Sequence, residues 1–233
     1  RLSKMESITQ IFDKASENMS ETAAMSASSN ISVTHKRFNV TTNDTITSDA
    51  SYIRDKDSYS DYYISQTIDK VETLSKTLVI YTGGDLYFNI GDETADHILY
   101  RSTEDADSFS AFLDNILSGD TEDLSPSGFS VVDAKKSGSN VIINMSGPDE
   151  KSLSAVDEMF LAVTEMYTES AKATDCTFEI VITGDEKIKY EIVTAQFDCG
   201  SDSETLSLTA NTDYDTSGSV IVSPPINAGD YKA

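Results

Sequence analysis

From Ala27 onward the chain runs in short segments in which apolar and polar residues alternate, and this period of two constrains the fold more than any other feature of its 233 residues. "SNISVTHKRFNV", "TITSDASYIRD" and "SDYYISQTID" come first, rich in Thr, Val, Ile and Tyr. Successive side chains of a strand point to opposite faces, so alternation of this kind specifies strands with one buried face. The series continues through "VETLSKTLVIY", "GDLYFNIG" and "DHILYRS", then "GFSVVDAKKSG" and "SNVIINMSG", and closes with "TDCTFEIVITG", "KIKYEIVTAQFD", "SETLSLTANTDY" and "GSVIVSPP". The runs read as consecutive antiparallel strands. The last run stops at Pro224-Pro225, which cannot extend a ladder.

Three segments carry a helical period instead. Leu2, Met5, Ile8, Ile11 or Phe12, Ala15 and Met19 predict a helix over 2–19 with one apolar stripe. Phe109, Phe112, Leu113, Ile116 and Leu117 predict a second over 108–118, with Gly119 as its stop. Leu153, Val156, Phe160, Val163 and Tyr167 predict the longest, over 149–169, opened by Gly147-Pro148-Asp149. The order is helix, strands (27–102), helix, strands (129–146), helix, strands (174–222), with no linker composition between them. This is an α+β arrangement in one domain over 1–233: a strongly curved antiparallel sheet with about three helices packed on its concave side, able to enclose an apolar cavity.

Charge narrows the partners. Forty acids against 17 bases give a formal charge of −23, so a nucleic-acid backbone or an anionic membrane surface is repelled over most of the molecule. No apolar run is long enough to cross a bilayer as a helix. The sequence begins at "RLSKMESITQIF", already inside an amphipathic pattern, and is read as a mature extracellular or cell-surface domain, a monomer attached to membrane only through a removed N-terminal anchor.

Few residues offer chemistry. Gly83-Gly84-Asp85 is similar to the glycine-acid loop of diguanylate cyclases, but Leu86, Tyr87 and Phe88 follow where a second acid is needed. A hairpin tip is the expected role. His35 and His97 have no second ligand at helical or strand spacing and no serine in an elbow motif. The acid-rich "DKDSYSDYY" matches a calcium loop poorly, and neither metal nor cofactor is expected. Cys176 shares parity with Phe178, Ile180 and Ile182, whereas Cys199 is out of phase with Ile188, Tyr190 and Ile192. A Cys176–Cys199 disulfide is therefore a candidate that needs a bulge or a register change.

The closing meander, with its helix entering "FEIVI", its charged tip "GDEK", its "TDY" strand and its "VIVSPP…DY" ending, resembles bacterial cell-envelope lipoproteins of the LolA-like and LppX/LprG-like class. "GGDLYFNIGDE" is similar to a strand pair of such sequences. The resemblance implies an unclosed half-barrel plugged by helices and a non-enzymatic carrier or sensor, lipid-anchored, whose partner is a hydrophobic small molecule or acyl chain. The expected ligand-lining set is Leu78, Ile80, Leu86, Phe88, Ile98, Tyr100, Phe178, Ile180, Tyr190 and Ile192, taken as one inward face. The same residues would be ordinary core in a solid scaffold that binds a protein or glycan through polar loops, and the sequence leaves both readings open.

Overall fold

The computed structural model describes residues 4–55, 58–71, 73–92, 98–103, 105, 107–109 and 124–232. Helix α1 (Lys4–Ser20) leads into β1 (Ala24–Arg37), β2 (Val40–Asp55), β3 (Ser58–Lys70), β4 (Thr73–Thr82), β5 (Asp85–Asp92) and β6 (Ile98–Thr103). Then come β7 (Phe129–Ser137), β8 (Asn140–Pro148), α2 (Glu150–Thr164), β9 (Lys172–Ile182), β10 (Ile188–Asp198) and β11 (Glu204–Asp215). The strands form one unclosed antiparallel sheet in the order β6-β5-β4-β3-β2-β1-β11-β10-β9-β8-β7. The α+β class expected from the alternation therefore holds. Of the helix expected over 108–118, residues 108 and 109 are helical, together with 107 before them, and the rest lies outside the described residues, as does His97.

One expected strand does not form. Residues 218–225 join no ladder, and Ile221 is 88% exposed. Asp215 accepts the Ser217 N–H at 2.9 Å, and this side-chain turn diverts the backbone as β11 ends. "VIV" keeps a strand's alternation without a partner.

Contacts divide the chain into two compact units, with β1, β2 and β11 contributing to both. The first contains residues 1–20, 31–43 and 119–212. Its core is one face of β7–β11: Ile143, Met145, Cys176, Phe178, Ile180, Ile182, Val193, Ala195, Phe197, Leu206 and Leu208 are all buried. Ile8 and Ala15 of α1 and Val156 and Phe160 of α2 cover it. Asp149 starts α2 by accepting the Ser152 N–H at 2.8 Å, satisfying an orphan donor of the first turn. The Gly128 carbonyl accepts the Asp149 N–H at 2.8 Å and the Ser152 hydroxyl at 3.1 Å, docking that end at the start of β7. A Cβ on Gly128 would lie 2.2 Å from the Ser152 oxygen, so only glycine permits the approach. Beyond the other end, Tyr167 meets the His35 ring of β1 edge-on at 5.4 Å. A helix of fifteen residues spans about 22 Å, close to the roughly 24 Å of five strand spacings from β7 to β1. Helix α2 is thus long enough to cross the sheet.

The second unit contains residues 21–30, 44–118 and 213–233. Gly83 and Gly84, at φ 61° and 82°, close a two-residue turn of the type that suits the twist of a hairpin. In β4–β5, Thr82 faces Asp85, Tyr81 faces Leu86, Ile80 faces Tyr87, Val79 faces Phe88 and Leu78 faces Asn89. Both sheet faces of this unit are apolar and both are covered: one by the turn at 107–109 and the other by residues 222–231.

Candidate functional site

On the first of these faces, Tyr62, Tyr81 and Leu86 lie in line across β3, β4 and β5 and are buried with Phe109. Asp105 accepts the Ser108 N–H at 2.9 Å and its carbonyl accepts the Phe109 N–H at 3.0 Å, which begins the helical turn. The Ser58 hydroxyl ties that turn to β3 by donating to Asp107 at 3.0 Å. Phe109 is thereby set down on the sheet, stacked on Tyr81 at 4.1 Å and edge-on to Tyr62 at 5.7 Å. Tyr59 and Tyr52 extend the row through edge-on contacts of 5.9 and 5.4 Å, and the Arg54 guanidinium lies 5.2 Å from the Tyr52 centroid. Ile64, Val79 and Phe88 pack around the cluster and are only partly buried. Burial, reinforced by the neighbouring Tyr59, pushes the Tyr62 pKa up to about 12, so its hydroxyl stays protonated.

The opposite face carries Ile80, Tyr87 and Tyr231, with Tyr63, Leu78, Leu99, Val222 and Ala228 around them. Arg101 pairs with Asp85 at 2.7 Å and lies 5.3 Å from the Tyr87 centroid. Its hydrogen bond holds the Asp85 carboxyl below the usual range. The acid of Gly83-Gly84-Asp85 thus pins β5 to β6.

The expected single inward face is corrected by the register. A two-residue turn pairs odd positions with even ones, so Leu86 and Phe88 share a face with Tyr81 and Val79, while Leu78 and Ile80 share the other with Asn89 and Tyr87. Ile98 and Tyr100 stand in register with Ile90 and Phe88, and their side chains lie outside the described residues. A second reversal occurs in the first unit, where an irregularity between Ile188 and Tyr190 sets Tyr190 opposite Val181 and Ile192 opposite Glu179. Phe178 and Ile180 belong to the buried, helix-facing side, and Tyr190 and Ile192 to the reverse. There Ile192 lines a depression of about 380 Å3 with Val131, Asp133, Asn144, Ser146, Thr177 and Glu179. Of the eight positions whose side chains are described, Leu86, Phe88, Phe178 and Ile180 therefore stand on helix-facing sides, and Leu78, Ile80, Tyr190 and Ile192 on reverse sides.

The disulfide does not form: both cysteines are free and buried. Cys176 pairs with Ala195, while Asp198, next to Cys199, pairs with Lys172. Four residues of β9 separate the two positions by about 13 Å, well beyond the reach of a bridge. Burial pushes the Cys176 thiol up to about 11 and raises that of Cys199. His35 is half-buried and bonds Glu204 at 2.7 Å. Among the described residues no three His, Cys, Asp or Glu side chains converge as a metal site. Of the acid-rich "DKDSYSDYY", Lys56 and Asp57 lie outside the described residues.

The aromatic row was missed in the sequence. Its signal is the spacing of tyrosines at 52, 62 and 81, which fall opposite one another only once the strand register is known.

Neither protein-family models nor curated proteins give a match to the chain. Among solved structures it is similar to LprF from Mycobacterium bovis, at 10% identity over 94% of this chain and 97% of that one, with a TM-score of 0.43. It is also similar to a DUF1329 family protein from Desulfovibrio piger, at 11% identity over 90% and 94%, TM-score 0.30. A third likeness is to an outer membrane lipoprotein-sorting protein domain from Vibrio parahaemolyticus, at 7% identity over 94% and 95%, TM-score 0.26.

Proposed function

We propose that the protein is a non-enzymatic, extracytoplasmic carrier or sensor that holds a lipid or other hydrophobic ligand on the helix-facing side of its sheet, against Tyr62, Tyr81, Leu86 and Phe88 and beneath Phe109. The observation that carries this reading is the row of five aromatic rings from Tyr52 to Phe109 and Tyr81, flanked by partly buried Ile64, Val79 and Phe88. Such a surface gains about 0.8 kcal/mol for each methylene it removes from water. With a charge of −23, the protein selects ligands with a neutral or cationic head over fatty-acid anions. Attachment at the cell surface and a monomeric state belong to the same reading, which draws them from the envelope-lipoprotein resemblance.

Native mass spectrometry of protein purified without detergent tests it. A co-purified apolar ligand, or one-to-one uptake of an added monoacylglycerol, is expected. Protein that emerges empty and takes up none refutes the carrier. The alternative, an interaction module binding a protein or glycan, draws on the polar-rimmed depression at Ile192, whose hydroxyl, amide and carboxylate groups suit a polar partner.

A further inference from the structure

After β11 the chain passes through residues 216–226, which join no ladder, and then binds the second unit again. The grip is local. A short helical turn, Ala228–Asp230, presents Tyr231, which is 7% exposed and packs among Ile80, Tyr87 and Leu99. Its ring meets Tyr87 edge-on at 5.4 Å. The Lys232 N–H donates to the Leu99 carbonyl at 3.3 Å, and the Lys232 carbonyl accepts the Arg101 N–H at 2.9 Å. A residue bracketed in this way by positions 99 and 101 is paired in parallel, so residue 232 extends the sheet at the edge of β6 that no other described strand pairs. The preceding arc is held differently. Val222 packs partly buried against the same cluster, while Ile221 and Ile226 stand open at 88% and 109% exposure.

We propose that the surface beneath Tyr231 is a docking groove for an extended segment, that residues 228–232 are its occupant within one molecule, and that a second copy of the chain supplies the same segment in trans. The groove has the two parts that strand addition requires, free edge backbone and a slot for an alternate side chain. The ligand that fits it is printed in the chain itself, so every other copy carries one. Apart from Val222, which packs at the margin of the cluster, the arc is a tether: eleven residues reach up to about 38 Å, far enough to leave one molecule for another. Tethered ends meet at an effective concentration on the order of millimolar, so self-docking prevails in dilute solution and exchange follows when the tether is shortened or copies are crowded.

A fluorescein-labelled peptide of residues 226–233, blocked at both ends, is the probe. The full chain carrying Tyr231→Ala or Lys232→Pro releases its own segment, both changes lying outside the strands, and far-UV circular dichroism checks that the sheet is intact. Fluorescence anisotropy is expected to show binding to both variants at least about tenfold tighter than to the unaltered chain, lost when the peptide's tyrosine is alanine. Light scattering of a chain lacking residues 216–223 is expected to show a dimer. The proposal is overturned if the peptide binds neither variant, if it binds all three chains alike, if a scrambled peptide retaining the tyrosine binds as well, or if the shortened chain is a monomer.

Discussion

The face reversal in β10 makes a quantitative distinction between two isoleucines that the amino-acid sequence treats alike. Ile180 is wholly buried under the helices, whereas Ile192 is part-exposed on the reverse side. Ile180→Ala removes three carbons, worth about 2.4 kcal/mol at 0.8 kcal/mol each. Close packing around Ile143 and Phe178 resists collapse, and the cavity adds about 2 kcal/mol. The total is about 4 kcal/mol. Ile192→Ala leaves a depression already open to solvent, so no cavity term arises and about 1 kcal/mol is lost. With a urea m-value of about 2 kcal/mol/M, the midpoint should fall by about 2 M for the first variant and about 0.5 M for the second, with m unchanged. Equal shifts, or a larger one for Ile192→Ala, would refute the register and with it the assignment of sides.

Other expectations follow from individual groups. Ellman's reagent should find no reactive thiol in the native protein and two in guanidinium, and one disulfide's worth of missing thiol would contradict the free, buried cysteines. Tyr231→Ala strips a ring that is 7% exposed among Ile80, Tyr87 and Leu99 and should cost about 3 kcal/mol of stability; an unchanged thermal unfolding midpoint would show that the ring does not pack there. The Asp149 carboxyl is held below the usual range, chiefly by the Ser152 N–H. Its contribution is therefore present above the unfolded carboxyl pKa of about 3.9 and disappears as pH falls through the lower folded value. Asp149→Asn, which keeps the cap acceptor, should flatten the acid limb of melting temperature against pH with little change at pH 7, while Asp149→Ala should lower stability at pH 7 as well. The chain has no tryptophan, so Phe109→Trp installs a single reporter over Tyr81; its emission should shift on adding a monoacylglycerol, and a constant spectrum together with unchanged mass would count against the site.

The sequence showed the α1 and α2 stripes, all eleven strands along with a twelfth that does not form, and the hairpin role of Gly83-Gly84, because these depend on local period and turn chemistry. It did not show which residues share a face, since that depends on details the period cannot carry. The turn at Gly83-Gly84 pairs odd positions with even, and the irregularity after Ile188 offsets β10 by one, so parity counted along the chain misgroups Leu78 with Leu86 and Phe178 with Ile192. "GSVIVSPP" fails as a strand for a related reason: alternation records one buried and one exposed side, which an extended segment lying on a surface satisfies as well as a paired one. The Tyr52–Tyr62–Tyr81 row is a product of register and has no local signature.

Residue-level photolabelling with a neutral monoacylglycerol bearing a diazirine on its chain tests the central claim most directly. Adducts should alternate along the strands, on Tyr62, Val79, Tyr81, Leu86 and Phe88 and not on Tyr63, Ile80 and Tyr87, and unlabelled monoacylglycerol should compete them away. Labelling of Ile80 and Tyr87 instead, or no labelling above that of a denatured control, would contradict a ligand held on the helix-facing side.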